Sequence, residues 1–418
     1  MNAEIIAVGS ELLLGQITNT NATYISSQLS ELGINVFYHT VIGDNPTRLK
    51  QAIEIAEKRA DLIIFSGGLG PTKDDLTKET IAKHIGVPLV FDETALEHIE
   101  RYFEKRDMVM TANNRKQALI LEGSEVLANY NGMAPGMLIA HERHTYILLP
   151  GPPKELQPMF QYEAKPKLAA LLNEDSVIIS HVMRFYGIGE AALEDTLQDL
   201  LDAQTNPTIA PLATDGEVTL RITAKATTTE QAERLIEDEV TKIQARVGHY
   251  QYGVNDDSLA SKLVDVLRAN KLTISAAESL TAGLFQAELA EISGVSEVLV
   301  GGFVTYTAEA KVKQLGIAPE LIETYGVVSE ECAIAMAQGT QRRMGTSIGV
   351  GLTGAAGPTS HDGQPVGAVW IAFTIGNKTY TKHLQLSGMR NTNRIRATKF
   401  AYYYIIRELR ALGYDVAM

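Results

Sequence analysis

The chain has 418 residues, of which 45% are hydrophobic, 21% charged and 6% aromatic. That excludes a single minimal domain and a disordered chain, and at roughly 150 residues per domain it leaves two or three compact units. With 37 Lys and Arg against 50 Asp and Glu, the net charge of −13 repels a phosphate backbone, so direct nucleic-acid binding is not expected.

The amino terminus carries Glu4 and Glu11 without a basic flank, unlike a secretory signal. No apolar run approaches the ~18 residues that span a bilayer, so no membrane association is expected. Cys332 is the only cysteine, which excludes an intrachain disulfide and fits a reducing, cytoplasmic setting. From residue 3 to about 165, short apolar runs alternate with amphipathic segments of helix length, the pattern of a parallel sheet covered by helices. EIIAVG reads as a strand. Ala22, Ile25, Leu29 and Leu32 then recur at helical spacing up to Gly33, a C-terminal cap. A second helix opens at Pro46 with Leu49, Ala52, Ile53 and Ala56 on one face, and DLIIFSGG follows as a buried strand.

Past PGPPKE the pattern changes. SVIISHVMRFYGI and EVTLRITAKA read as strands, EAALEDTLQDLLD and TTEQAERLIEDEVTKIQARVG as helices, together a small α+β connector. A further α/β unit starts near Asp256 with a helix carrying Leu259, Leu263, Val266 and Leu267. The strand LTISAAE comes next, then a helix expected from Ser279. The division expected is therefore 1–168, 169–252 and 253–418.

Two segments carry chemistry. In the first unit, Gly67, Gly68 and Gly70 lie between a buried strand and a helix. There, backbone amides and a helix amino terminus favour a phosphate. The loop has neither the Gly-Lys-Ser/Thr of a P-loop nor the third glycine of a dinucleotide fingerprint. Asp74 and Asp75 stand beside it, and carboxylates near phosphates call for a bridging divalent cation of unspecified identity. Asp44 follows another strand, where doubly wound sheets place ligand groups. Read singly, these acids also serve as helix starts or turn residues. Glu11, Gln16, Asn21 and Lys154 are further candidates for the same cleft.

In the last unit, Ser279 sits at a strand-to-helix junction, a position that also suits an ordinary N-cap. Ala308, Lys311, Val312 and Leu315 share one side of a helix that follows a strand ending near Tyr306. Lys311 thus borders an apolar face, where lost solvation makes a lysine usable as a base, while Lys313 faces water. Arg390, Arg394 and Arg396 gather at the start of the last helix, an unfavourable end for cations unless an anion is bound. Thr353, Gly354 and Gly357 form a second glycine loop. The nine histidines suggest no zinc spacing.

VGSELLLGQITNTN, the SGGLGPTKDD segment and LPGPPKE resemble the molybdopterin-binding-like, MogA/MoaB-type three-layer domain of the CinA family of competence/damage-inducible proteins. ESLTAG, FVTYTAEAK, VSEECA, GLTGAAGP and PVGAVWIAF resemble that family's carboxy-terminal domain and the stand-alone PncC-type deamidases. The resemblance implies an α/β deamidase fold in which Ser279 is the nucleophile, Lys311 the base and Tyr306 a neighbour. It further implies hydrolysis of nicotinamide mononucleotide to nicotinate mononucleotide and ammonia without a cofactor, with Arg390 foremost at the substrate 5′-phosphate. For the first unit it implies metal-dependent cleavage of ADP-ribose to AMP and ribose 5-phosphate, with Asp75 catalytic and Asp44, Asp74 and Asp75 around the metal. A homodimer is also implied. The alternatives are a competence or recombination protein acting through protein partners, or a pterin-binding first domain. The sequence departs from the usual ESCTGG motif at Leu280 and Ala282, and Thr353 stands for a commoner serine.

Overall fold

Residues 1–172, 177–214 and 216–416 are described in a computed structural model of the chain. They divide into two units, Met1–Ile179 with Lys225–Ala232, and Ser180–Ala224 with Glu233–Met418. No helix among the described residues is long and apolar enough to cross a membrane.

The apolar runs of the first unit become β1 (Asn2–Val8), β2 (Asn35–Ile42), β3 (Leu62–Ser66), β4 (Leu89–Phe91), β5 (Leu119–Leu121), β6 (Glu125–Leu127), β7 (Gly136–His141) and β8 (His144–Leu149). Six of them form one sheet in the order β2-β1-β3-β8-β7-β6, and β4 pairs with β5. β2, β1, β3 and β8 are parallel, while β7 is antiparallel to β8 and β6 antiparallel to β7. Side chains alternate across a strand, so Ile63 and Phe65 meet Leu49, Ile53 and Ile81 on one face. Leu62 and Ile64 meet Ala22, Ile25 and Leu29 on the other. This gives the helix–sheet–helix layering expected from the sequence. Lys78, 1% exposed, donates from Nζ to the carbonyls of Lys116 (2.7 Å), Gln117 (3.3 Å) and Leu119 (3.2 Å).

The connector segment forms β9 (Val177–Tyr186), β10 (Thr208–Thr214), β11 (Glu217–Ala226) and β12 (Gln251–Val254), ordered β10-β11-β9-β12, with helices Glu190–Ala203 and Thr229–Val247. Ser176, where the first connector strand was expected to begin, lies outside the described residues.

Beyond it lie β13 (Ile274–Glu278), β14 (Leu299–Val304), β15 (Ile348–Gly354), β16 (Ala368–Ile375) and β17 (Lys378–Gln385), ordered β14-β13-β15-β16-β17. β13 is central and parallel to both neighbours. One face is covered by helices Leu259–Ala269 and Arg390–Ala411 through Leu263, Leu267, Tyr402 and Ile405. On the other, Ala277 packs with Leu315, Cys332 and Met336. Helix Glu330–Met344 lies unusually close to β15: a Cβ on Gly349 would stand 2.2 Å from the Ala337 carbonyl oxygen, and one on Gly351 2.3 Å from that of Ala333.

The helix expected from Ser279 begins instead at Leu284. Residues 279–283 are a turn in which Ala282 (φ 50°) and Gly283 (φ 94°) adopt left-handed backbone, which a helix cannot include.

Candidate functional site

The parallel strands of the first unit bring four loops to one end of the sheet. They follow β1 (Gly9, Ser10), β2 (Gly43, Asp44), β3 (Gly67, Gly68) and β8 (Pro150, Gly151), the end where such sheets bind ligands. The loops are tied together. Gly9 N donates to the Ile42 carbonyl (2.9 Å) and Gly67 N to that of Leu149 (3.0 Å). Asn21 Nδ2 donates to the Gly151 carbonyl (2.7 Å), and its buried Oδ1 has no partner among the described residues. Gly67 and Gly68 have positive φ, and a Cβ on Gly67 would stand 2.3 Å from the Val8 carbonyl oxygen, so the close approach of the chain at the ends of β1 and β3 admits no side chain there. Thr77, heading the next helix, donates its hydroxyl to the Gly67 carbonyl (2.9 Å).

Of the acids of this cleft, Asp44 is held by the neighbouring loop and Asp75 by its own. Asp44 Oδ2 accepts from Ser10 N (3.0 Å) and Ser10 Oγ (2.7 Å). Asp75 Oδ2 accepts from Thr72 N (2.8 Å) and Thr72 Oγ1 (2.7 Å), under Gly70. Asp74, Glu11, Gln16 and Lys154 are exposed. Among the described residues no group of three or more His, Cys, Asp or Glu side chains could hold a metal ion. The carboxylates of this cleft therefore form no all-protein metal shell; a hard cation here would be held by one or two of them together with oxygens of a phosphate ligand.

At the end of central β13 the second unit is built more tightly. Ser279 N donates to the Leu352 carbonyl (2.9 Å), extending the β13–β15 ladder by one residue. Thr307 caps the helix Ala308–Leu315, accepting from Ala310 N, and Lys311 on its first turns is fully buried. Lys311 Nζ lies 3.1 Å from Ser279 Oγ and 2.8 Å from the Thr305 carbonyl oxygen, to which it donates. Burial pushes its pKa below the ordinary lysine value, with the charge of Asp362 opposing. Burial likewise pushes the Cys332 thiol up to about 11, so it stays protonated.

A cavity of about 210 Å³ opens beside this pair, lined among others by Ser279, Tyr306, Gly354, Gly357, His361 and Arg390. Arg390 Nη2 donates to Tyr306 Oη (2.7 Å) and Nη1 to the Gly357 carbonyl (2.6 Å). Ser279, Lys311, Tyr306, Gly354, Gly357 and Arg390 are thus brought together.

Three candidates are placed otherwise. Thr353 is buried and donates to the Val327 carbonyl (2.6 Å). Arg394 donates from Nε to the Leu280 carbonyl (3.2 Å) and from Nη2 to that of Thr281 (2.9 Å). Arg396 acts electrostatically on Tyr186, and its buried Nε has no hydrogen-bond partner among the described residues.

Sequence reasoning missed Glu278, Asp362 and His361. Asp362 accepts from Val328 N (3.0 Å). Glu278 is an acid at the end of a buried strand, directly before a serine, and that mismatch of polarity and burial was the available signal.

Three family models cover the chain: "Probable molybdopterin binding domain" over residues 4–170, "Damage-inducible protein CinA KH domain" over 180–253 and "CinA C-terminal domain" over 256–409. A competence-damage inducible protein of Lysinibacillus sphaericus (strain C3-41) is 70% identical over 417 residues, covering 99% of each chain. Another, of Bacillus subtilis (strain 168), is 53% identical over 407 residues, covering 97% of this chain and 98% of the relative. The crystal structure of CinA from Thermoplasma acidophilum is 37% identical, covers 40% of this chain and 99% of its own, and superposes with a TM-score of 0.37. With near-complete coverage at these identities, the chain belongs to the CinA family of competence-damage inducible proteins.

Proposed function

We propose that the second unit hydrolyses the carboxamide of a nicotinamide-type nucleotide, nicotinamide mononucleotide in the first instance, by a serine–lysine pair. The observation that carries this is the 3.1 Å approach of a buried, desolvated Lys311 amine to Ser279 Oγ at the mouth of a polar cavity. The unprotonated amine takes the Ser279 proton as Oγ bonds to the amide carbon. Collapse of the tetrahedral intermediate breaks the C–N bond, and the Lys311 ammonium gives its proton to the departing ammonia. Water then repeats the sequence on the acyl-serine, with Lys311 accepting its proton, to release carboxylate and free serine. Arg390, presented with Tyr306 on the cavity wall, suits the 5′-phosphate. The substrate itself is supplied by the family resemblance. Release of ammonia from nicotinamide mononucleotide by the full chain, lost in Ser279→Ala, is the expected result; an equal rate in the variant would remove Ser279 from the chemistry.

A second reading concerns the first unit, where the four loops at one end of the sheet favour a ligand carrying a pyrophosphate, in the proposal ADP-ribose yielding AMP and ribose 5-phosphate. The expected result is AMP formation, measured with and without added divalent cation, that falls in Asp75→Asn. If the chain acts instead through protein partners in competence, as its relatives' names suggest, neither product forms from either substrate.

A further inference from the structure

Five residues, Ser279 to Gly283, separate β13 from the helix Leu284–Ala290, and they carry the nucleophile without regular structure. Both polar edges of this turn are tied down by full charges. On the amide edge stands Glu278, wholly buried. Its Oε2 accepts from Gly283 N (2.8 Å) and Phe285 N (3.1 Å), and its Oε1 from Gln286 N (3.1 Å) and Gln286 Nε2 (2.9 Å). On the carbonyl edge stands Arg394, which holds the oxygens of Leu280 and Thr281 while its Nη1 donates to Asn391 Oδ1 (3.2 Å).

Neither charge lines the cavity. Capping this helix does not call for a carboxylate without water contact, since an exposed Ser or Asp supplies the same acceptors at far lower desolvation cost. What a buried charge adds is a fixed direction, because leaving its four donors is far costlier than leaving solvent-shared bonds. The turn it fixes is one the backbone resists, with Ala282 in left-handed geometry.

We propose that Glu278 and Arg394 are positioning residues that clamp the 279–283 turn from opposite edges and so hold Ser279 Oγ in line with Lys311. This rests on the amide-hydrolase reading for its substrate, though not for its geometry. Displacing a reacting atom by about 1 Å costs on the order of 100-fold in rate. The loss belongs in the chemical step and not in binding.

The test uses the full chain with Arg394→Met, Arg394→Lys and Glu278→Gln. Turnover of nicotinamide mononucleotide is measured together with the rate at which a fluorophosphonate probe labels Ser279. Arg394→Met is expected to lower kcat roughly 10- to 100-fold with KM within about twofold and to slow labelling in proportion, with Arg394→Lys recovering part of both. Glu278→Gln is expected to act in the same sense, and if it does not fold the Arg394 pair still decides. Unchanged kcat and labelling in a folded Arg394→Met, or a loss confined to KM, overturns the proposal. If the wild type is labelled but releases no ammonia, the substrate reading fails, and slowed labelling in the variants still supports the clamp. If the wild type is neither labelled nor active, both fall.

Discussion

Lys311 Nζ is shared between two oxygens, Ser279 Oγ at 3.1 Å and the Thr305 carbonyl at 2.8 Å. The carbonyl can only accept, so it takes one N–H and leaves the amine's lone pair free to turn toward the hydroxyl once the nitrogen is unprotonated. Because burial lowers the lysine pKa, the active base form is populated at lower pH than for a free lysine. The rate of amide hydrolysis should therefore climb with pH and level off below the ordinary lysine range. Lys311→Arg should be inactive, since a guanidinium does not deprotonate, and Lys311→Met should lose at least about 100-fold. A rate independent of pH from 6 to 10 would argue against lysine as the base.

Arg390 bridges Tyr306 and the 357 loop while facing the cavity. A charge-assisted hydrogen bond to phosphate is worth about 1.5–3 kcal/mol. Arg390→Ala should raise KM for the mononucleotide on the order of 10- to 100-fold and change little for the corresponding nucleoside. Steady-state kinetics on the two substrates separates these outcomes, and an equal effect on both would place Arg390 elsewhere in the reaction.

Ala282 stands at φ 50° where glycine is at ease. Left-handed backbone costs a non-glycine residue about 1–2 kcal/mol, and glycine's looser unfolded chain gives part of that back. Ala282→Gly should stabilise the second unit by about 0.5–1 kcal/mol, seen as a rise of a few degrees in its melting transition. A lower transition would mean that the alanine methyl contributes packing that outweighs its backbone.

Lys78 carries its charge into the first unit against three carbonyls, and burial brings its pKa down to about 8. A lysine whose folded pKa lies below its unfolded one binds fewer protons when folded, so its contribution to stability grows as pH rises from about 8 toward 10. Lys78→Met should destabilise the unit at pH 7 by about 1–3 kcal/mol through its orphaned carbonyls. The gap from wild type should widen at pH 9.5, as denaturant titrations at the two pH values would report. A gap that narrows would reverse the assignment.

Local pattern made much of this legible. The 3.6-residue spacing that placed Lys311 with Val312 and Leu315 anticipates its burial, and Arg390 falls at the helix start as read. The sheet-end convergence of Gly67, Asn21 and Gly151 was legible only as separate motifs, because residues far apart in sequence meet through strand order. The role of Arg394 was hidden for the same reason: its partners lie 113 and 114 residues away. A cluster of arginines at a helix start signals an anion, whereas a carbonyl edge leaves no trace in composition. The helix start was misplaced because Ser279 has the chemistry of an N-cap, while the amides are met by Glu278 from outside the helix.

The bare backbone at Gly349 and Gly351 lets helix Glu330–Met344 rest directly on its strand. That helix brings Cys332 and Met336 to the apolar wall around the lysine-bearing helix. A single methyl at either glycine would wedge the layers apart and admit water behind the amine. The reactivity of the site thus depends in part on two positions that have no side chain and do not line its cavity.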